Sequence, residues 1–180
     1  MLRPKDISQQ AAPSALLTLA QAKSWLRIVH DSEDDLISMQ ISAVSAYLDG
    51  PEGVLGRFIG GGSYSFEYEP ALSSGGVTLG LKGRVSDPAA VEVNGAIGGA
   101  LLSYRHGIAC LVPVNSNWSG LQSLTVSADF DPIDDPRVTA LASTLMAQLF
   151  EYREEVITER VSKNPAVERL IAALRTRLIA

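Results

Sequence analysis

Leu17-Thr18-Leu19-Ala20-Gln21-Ala22-Lys23-Ser24-Trp25-Leu26-Arg27, followed closely by His30-Asp31-Ser32-Glu33-Asp34-Asp35-Leu36-Ile37, decides how this chain is read. Thr18 is an N-cap residue and Gln21, three positions on, completes a capping box. Leu19, Ala22, Trp25 and Leu26 then fall on one helical face, which predicts a short helix ending near Val29 with Trp25 in the core. Asp31 and Ser32 restart the helix, and Glu33, Asp34 and Asp35 oppose its dipole in the first turn. Leu36, Ile37, Ile41, Ala43, Val44, Tyr47 and Leu48 supply an apolar stripe. Gly50-Pro51 stops it, because glycine accepts the C′ conformation and proline cannot continue the ladder. The segment therefore reads as a helical hairpin.

The far end of the chain mirrors this. Asp135 caps a third helix with Pro136 at its first position, and Asn164-Pro165 repeats the device. Val138, Leu141, Ala142, Leu145, Leu149, Tyr152 and Val156 form one stripe, running to about Arg160. Val167, Leu170, Ile171, Leu174 and Leu178 form the next, with Arg169, Arg175 and Arg177 on the polar side.

Between the helical ends the periodicity is that of strands. Gly60-Gly61-Gly62 reads as a hinge or loop, since it lacks the Lys-Ser/Thr of a phosphate loop. Tyr64, Phe66 and Tyr68 alternate with Ser65, Glu67 and Glu69. Strands are predicted at 77–81, 101–105, 108–112 and 121–130, and Val91-Glu92-Val93 before Asn94-Gly95 is a hairpin signal. The expected fold is α+β, with a mainly helical core (the N-terminal hairpin plus two C-terminal helices) and a β-rich antiparallel insert. The expected divisions are an irregular arm at 1–17, the hairpin at 18–52, the insert at 53–133 and the C-terminal helices at 134–180, all in one domain.

Composition narrows the function. The chain has 180 residues, 46% of them hydrophobic and 19% charged, a globular composition. A net charge of −5 argues against nonspecific nucleic-acid binding, which needs a basic footprint. A mean hydropathy of +0.13 hints at surface kept for partners. Cys110 is the single cysteine and sits in an apolar run, so no disulfide or thiolate cluster is expected. The amino terminus has no continuous apolar core of a signal peptide, and no run approaches the ~20 apolar residues of a membrane span. Synthesis in a cytoplasm and no membrane contact are expected.

No catalytic set stands out. His30 and His106 belong to no metal-ligand pattern, and no nucleophile elbow is present. Asp129, Asp131, Asp134 and Asp135 are the best metal candidates, but their spacing is not that of a calcium loop, and turn and cap use explains Asp134 and Asp135. No metal, cofactor or enzymatic activity is expected. Trp118, in the loop-like run Asn115–Gly120, is a candidate interface residue.

The two patterned ends, in this order, resemble the head–tail connector (adaptor) proteins of tailed phages and their relatives in gene-transfer particles. The resemblance rests on the opening 17–28, the acidic turn His30–Ile37 with Ala43-Val44-Ser45-Ala46-Tyr47-Leu48, and the closing run 140–156 with Phe150-Glu151-Tyr152-Arg153-Glu154-Glu155. Leu124–Phe130 fits the family's late strand, but Asp131-Pro132 stands where a glycine and a tyrosine usually follow. The resemblance implies a structural protein that forms a ring, commonly of twelve subunits, below the portal at the head–tail junction of the virion. Such a ring extends the DNA channel, through which DNA passes without sequence-specific binding, and joins the portal protein to stopper or tail proteins. Under that reading Arg169, Leu174, Arg175, Arg177 and Leu178 would meet the portal. The competing readings are a carbohydrate- or protein-binding module and a small metal-dependent hydrolase.

Overall fold

The computed structural model describes residues 3–69, 76–94, 96–97, 100–113, 123–151 and 164–175. The chain forms two compact units: Met1–Ser14 with Arg57–Ile133, and Ala15–Gly56 with Asp134–Ala180. It passes between them three times.

The first unit is built of strands. β1 (Asp6–Ala11), β2 (Gly62–Tyr68), β9 (Leu124–Asp131), β5 (Glu92–Val93) and β6 (Ala96–Ile97) lie in that order in one antiparallel sheet, and β4 (Arg84–Val85) also pairs with β9. β3 (Val77–Lys82), β8 (Ile108–Pro113) and β7 (Ala100–Arg105) make a second antiparallel sheet. The β2–β9 ladder runs unbroken from Gly62↔Phe130 to Tyr68↔Leu124. The alternation read from sequence holds on β2, where Tyr64, Phe66 and Tyr68 are buried.

These side chains centre one core with Phe58, Val77, Leu79, Leu111, Val126 and Phe130. Phe58 stacks on Phe130 at 4.2 Å between ring centroids and packs on Tyr64 at 4.4 Å, and Phe66 meets Phe58 edge-on at 5.9 Å. The Tyr68 hydroxyl donates to the Thr78 carbonyl at 2.9 Å, and burial pushes its pKa well above the usual tyrosine value.

The second unit holds α1 (Leu19–Leu26), α2 (Asp34–Leu48), α3 (Pro136–Glu151) and α4 (Pro165–Leu174). α2 packs on α3 and on α1, and α4 packs on α3. The helix starts form as the sequence dictates. The Thr18–Gln21 capping box is present, Asp135 accepts from the Arg137 amide at 3.1 Å, and Asn164 accepts from the Ala166 amide at 3.0 Å with Pro165 behind it. Among the described residues, no helix is long and apolar enough to cross a membrane.

Four expectations need correction. The arm is not wholly irregular, since Asp6–Ala11 pairs with β2. Its sequence has no apolar face to announce a strand, so backbone pairing, with Ile7 against the core, creates it. The expected mainly helical weighting is not confirmed: the fold is mixed α+β, and its aromatic core lies in the strand-built unit. α1 stops at Leu26, earlier than expected, because Arg27 adopts the left-handed conformation (φ 59°) and bonds back to Lys23 and Ser24. α2 starts at Asp34, later than expected, with no side-chain cap.

The glycine triplet is a steric requirement. Gly61 has φ +74°, and a Cβ there would lie 2.5 Å from the Phe130 carbonyl oxygen. Gly61→Ala is expected to cost about 2 kcal/mol or more, read as an earlier urea midpoint. A midpoint equal to wild type would contradict this steric account.

Candidate partner interface

The segment that opened the sequence reading has a defined geometry. Lys23, in the last turn of α1, donates to Asp31 at 2.6 Å and to Asp34 at 2.7 Å. One ammonium thus pins the α1–α2 turn to both flanking helices. The hydrogen bonds to Asp31 and Asp34 raise the Lys23 pKa, and the hydrogen bond from Lys23 lowers that of Asp31. His30 Nδ1 lies 2.8 Å from the Ser32 hydroxyl, and Val29 just before it is 94% exposed.

Trp25 is 56% exposed, against the expectation that it is core. At 100° per residue, Leu19 and Leu26 fall to one side of the buried Ala22 and Trp25 to the other, so an eight-residue helix covers only the first side. The same geometry corrects α2. Ile37, Ile41, Val44 and Leu48 follow a single line and are buried, while Ala43 and Tyr47 precede that line by one residue and are exposed. Met39 and Leu149 are exposed as well. A signal for this was legible: residues 36–48 contain no charge, so the outward face of α2 is uncharged. Met and aromatic residues with few charges are the composition of a contact surface.

The residues expected to meet a partner divide. Arg169 is exposed on α4, and Arg175, also exposed, caps the helix. Leu174 is 4% exposed and packs inside with Val167. Trp118, Arg177 and Leu178 lie outside the described residues.

Chemistry finds little support. Asp131 pairs with Arg84 at 3.6 Å and Asp135 with Arg137 at 2.8 Å, so two of the four candidate metal carboxylates face arginines. Among the described residues, no group of three or more His, Cys, Asp or Glu could hold a metal ion. A cavity of about 190 Å³ is lined by Ser63, Asp87, Glu92, Ser127 and Asp129 among others. It is smaller than the roughly 300 Å³ of typical ligand pockets, and its described lining holds no histidine, cysteine or lysine. His106 and Gly107, both at positive φ, form the two-residue turn between β7 and β8.

The arrangement is a two-unit α+β fold in which α2 exposes an uncharged, partly apolar face. Residues 16–69 match the family model of the phage gp6-like head-tail connector protein, which bears out the resemblance carried by the opening helices. Three solved structures share the fold over 97% of this chain and 97% of theirs. One is from the neck of an empty gene transfer agent (GTA) particle computed with C6 symmetry (TM-score 0.74, 15% identity). Another is from the virion of a native GTA particle (0.72, 14%), and a third from the neck of a native GTA particle computed with C12 symmetry (0.65, 12%). No curated protein matches the chain in sequence.

Two outcomes follow. Trp25→Ala should change folding stability by no more than about 0.5 kcal/mol, as for an exposed residue, yet weaken assembly; unfolding curves and native mass measure the two separately. Lys23→Met should destabilise the protein at neutral pH. Lys23, with a raised pKa, contributes fully below about pH 10 and loses its contribution as pH rises through the folded value; Asp31, with a lowered one, contributes above about pH 4 and loses it as pH falls. The Tm gap between wild type and Lys23→Met is therefore expected to be flat through neutral pH and to shrink in acid.

Proposed function

We propose that this chain is a structural head–tail connector (adaptor) subunit in the neck of a tailed phage or phage-like particle. It forms a homo-oligomeric ring below the portal, extends the DNA channel and joins the head to stopper or tail proteins. The observation that carries this reading is the family match over residues 16–69, supported by a fold shared end to end with proteins of GTA particles. The C6 and C12 symmetry of those neck structures supports a ring of twelve, a number both symmetries divide. The chain is a building part rather than an enzyme. Its net charge of −5 suits a wall that DNA passes without adhering.

We assign portal contact to the carboxy-terminal helix, in a helix-in-groove mode. Arg169 and Arg175, exposed on α4, carry the described part of this assignment, with Arg177 and Leu178 beyond them and Trp118 as a separate contact. Leu174 reaches a partner only if α4 leaves its own unit, because it is buried there.

The test is binding to the portal protein of the same particle. The double variant R169E/R175E is expected to keep its far-UV circular dichroism and to bind the portal about tenfold more weakly. Deleting residues 164–180 should abolish binding. Full portal affinity in both variants would overturn the assignment to α4.

A further inference from the structure

β7 is an edge strand that the fold leaves open. It is the outer strand of its sheet, six residues long, contains no proline, and pairs with β8 without a break from Ala100↔Pro113 to Arg105↔Ile108. Because the hairpin closes with two residues, the main-chain groups of Arg105, Ser103 and Leu101 point at β8, and those of Tyr104, Leu102 and Ala100 point away. Leu101 is 62% exposed and Tyr104 47%. Regular, apolar edges of this kind are normally blunted or covered, because they template pairing with another chain. By contrast, β3 at the opposite edge of this sheet is irregular around Gly80, and the Phe58 amide bonds to its Lys82 carbonyl.

β1 is the complementary oddity. It is the outer strand of the larger sheet, also six residues long, and is exposed on both faces except at Ile7. A strand that buries so little is held mainly by its pairing with β2.

The two edges match in sequence. In antiparallel register over the regular part of β1, before its register shift between Gln9 and Ala11, Asp6 stands opposite Arg105, Ile7 meets Tyr104, Ser8 meets Ser103 and Gln9 meets Leu102. Ile7 and Leu102, each packed against a core in its own subunit, share one face, while Asp6 and Arg105 share the other. Neither charge has an ion-pair partner among the described residues. A closed ring needs two different surfaces that fit each other, one on each side of the subunit.

We propose that β1 of one subunit adds antiparallel to β7 of the next copy, so that main-chain pairing links neighbouring subunits around the ring. This rests on the ring-forming reading above. The occupant of the β7 edge is a second copy of this chain, placed there by equal length, apolar register and opposite charge. The Asp6–Arg105 charge pair and the Ile7–Tyr104 contact set the register, and the backbone supplies the adhesion.

Cysteine cross-linking of full-length protein on the portal tests it. Ser8 and Ser103 face each other at a site where the new ladder carries no hydrogen bonds, which brings side chains close enough for a disulfide. Cys110 is buried and does not interfere. The variant S8C/S103C should oxidise to a ladder of covalent oligomers, while an equal mixture of S8C and S103C stops at dimers. D6R and R105D should each raise the concentration needed for ring formation about fivefold, and D6R/R105D should restore it. Rings visible by electron microscopy that yield no covalent ladder would overturn the β1–β7 pairing and leave the connector reading intact. If no ring forms with an intact portal, the connector reading fails and this proposal falls with it.

Discussion

The β2–β9 ladder is the constraint on which the rest of the first unit depends. Its seven continuous pairs join residues about sixty positions apart and bring Tyr64, Phe66 and Phe130 onto Phe58. Closing so long a loop costs chain entropy, which one hydrogen-bond ladder with an aromatic face offsets. Everything between the two strands, including the whole second sheet, is an excursion from this pairing. At its end the Ile133 amide donates to the Ile59 carbonyl at 2.7 Å, so the chain leaves the strand unit beside the point where it entered. Both halves of the helical unit are therefore tethered within a few residues of one hydrogen bond.

Function follows from what the polar groups do. Several described ionisable side chains pin turns and cap helices: Lys23 binds the α1–α2 turn, Asp135 holds Arg137, and Arg84 answers Asp131. The described serine–histidine contact, Ser32 with His30, lies exposed on the α1–α2 turn. What remains free for work is surface, namely the uncharged outer face of α2, the exposed Trp25, and two open strand edges of equal length.

Much of this was legible in local sequence. Thr18–Gln21, Asp135-Pro136 and Asn164-Pro165 marked helix starts because caps act within four residues. Asn94 and His106-Gly107 marked turns because few residues tolerate positive φ. What failed was non-local. β1 has no apolar period, so nothing short of its pairing with β2 reveals it. The grouping of strands into two sheets depends on partners far apart in sequence. Trp25, Tyr47 and Leu149 lie at the margins of apolar stripes, where a shift of one residue, or 100°, separates core from solvent. For the interface, the stripe on α4 was the same whether it packed inward or outward, and only the structure placed Leu174 inside and Arg169 and Arg175 outside.

The most direct test of the central claim is to mix the protein with the portal protein encoded in the same genome, isolate the complex by size and image it by electron microscopy. The account predicts a ring of added density below the portal, with the symmetry read directly from end-on views. An intact portal that emerges with no added density, beside a protein that remains a monomer, would contradict it.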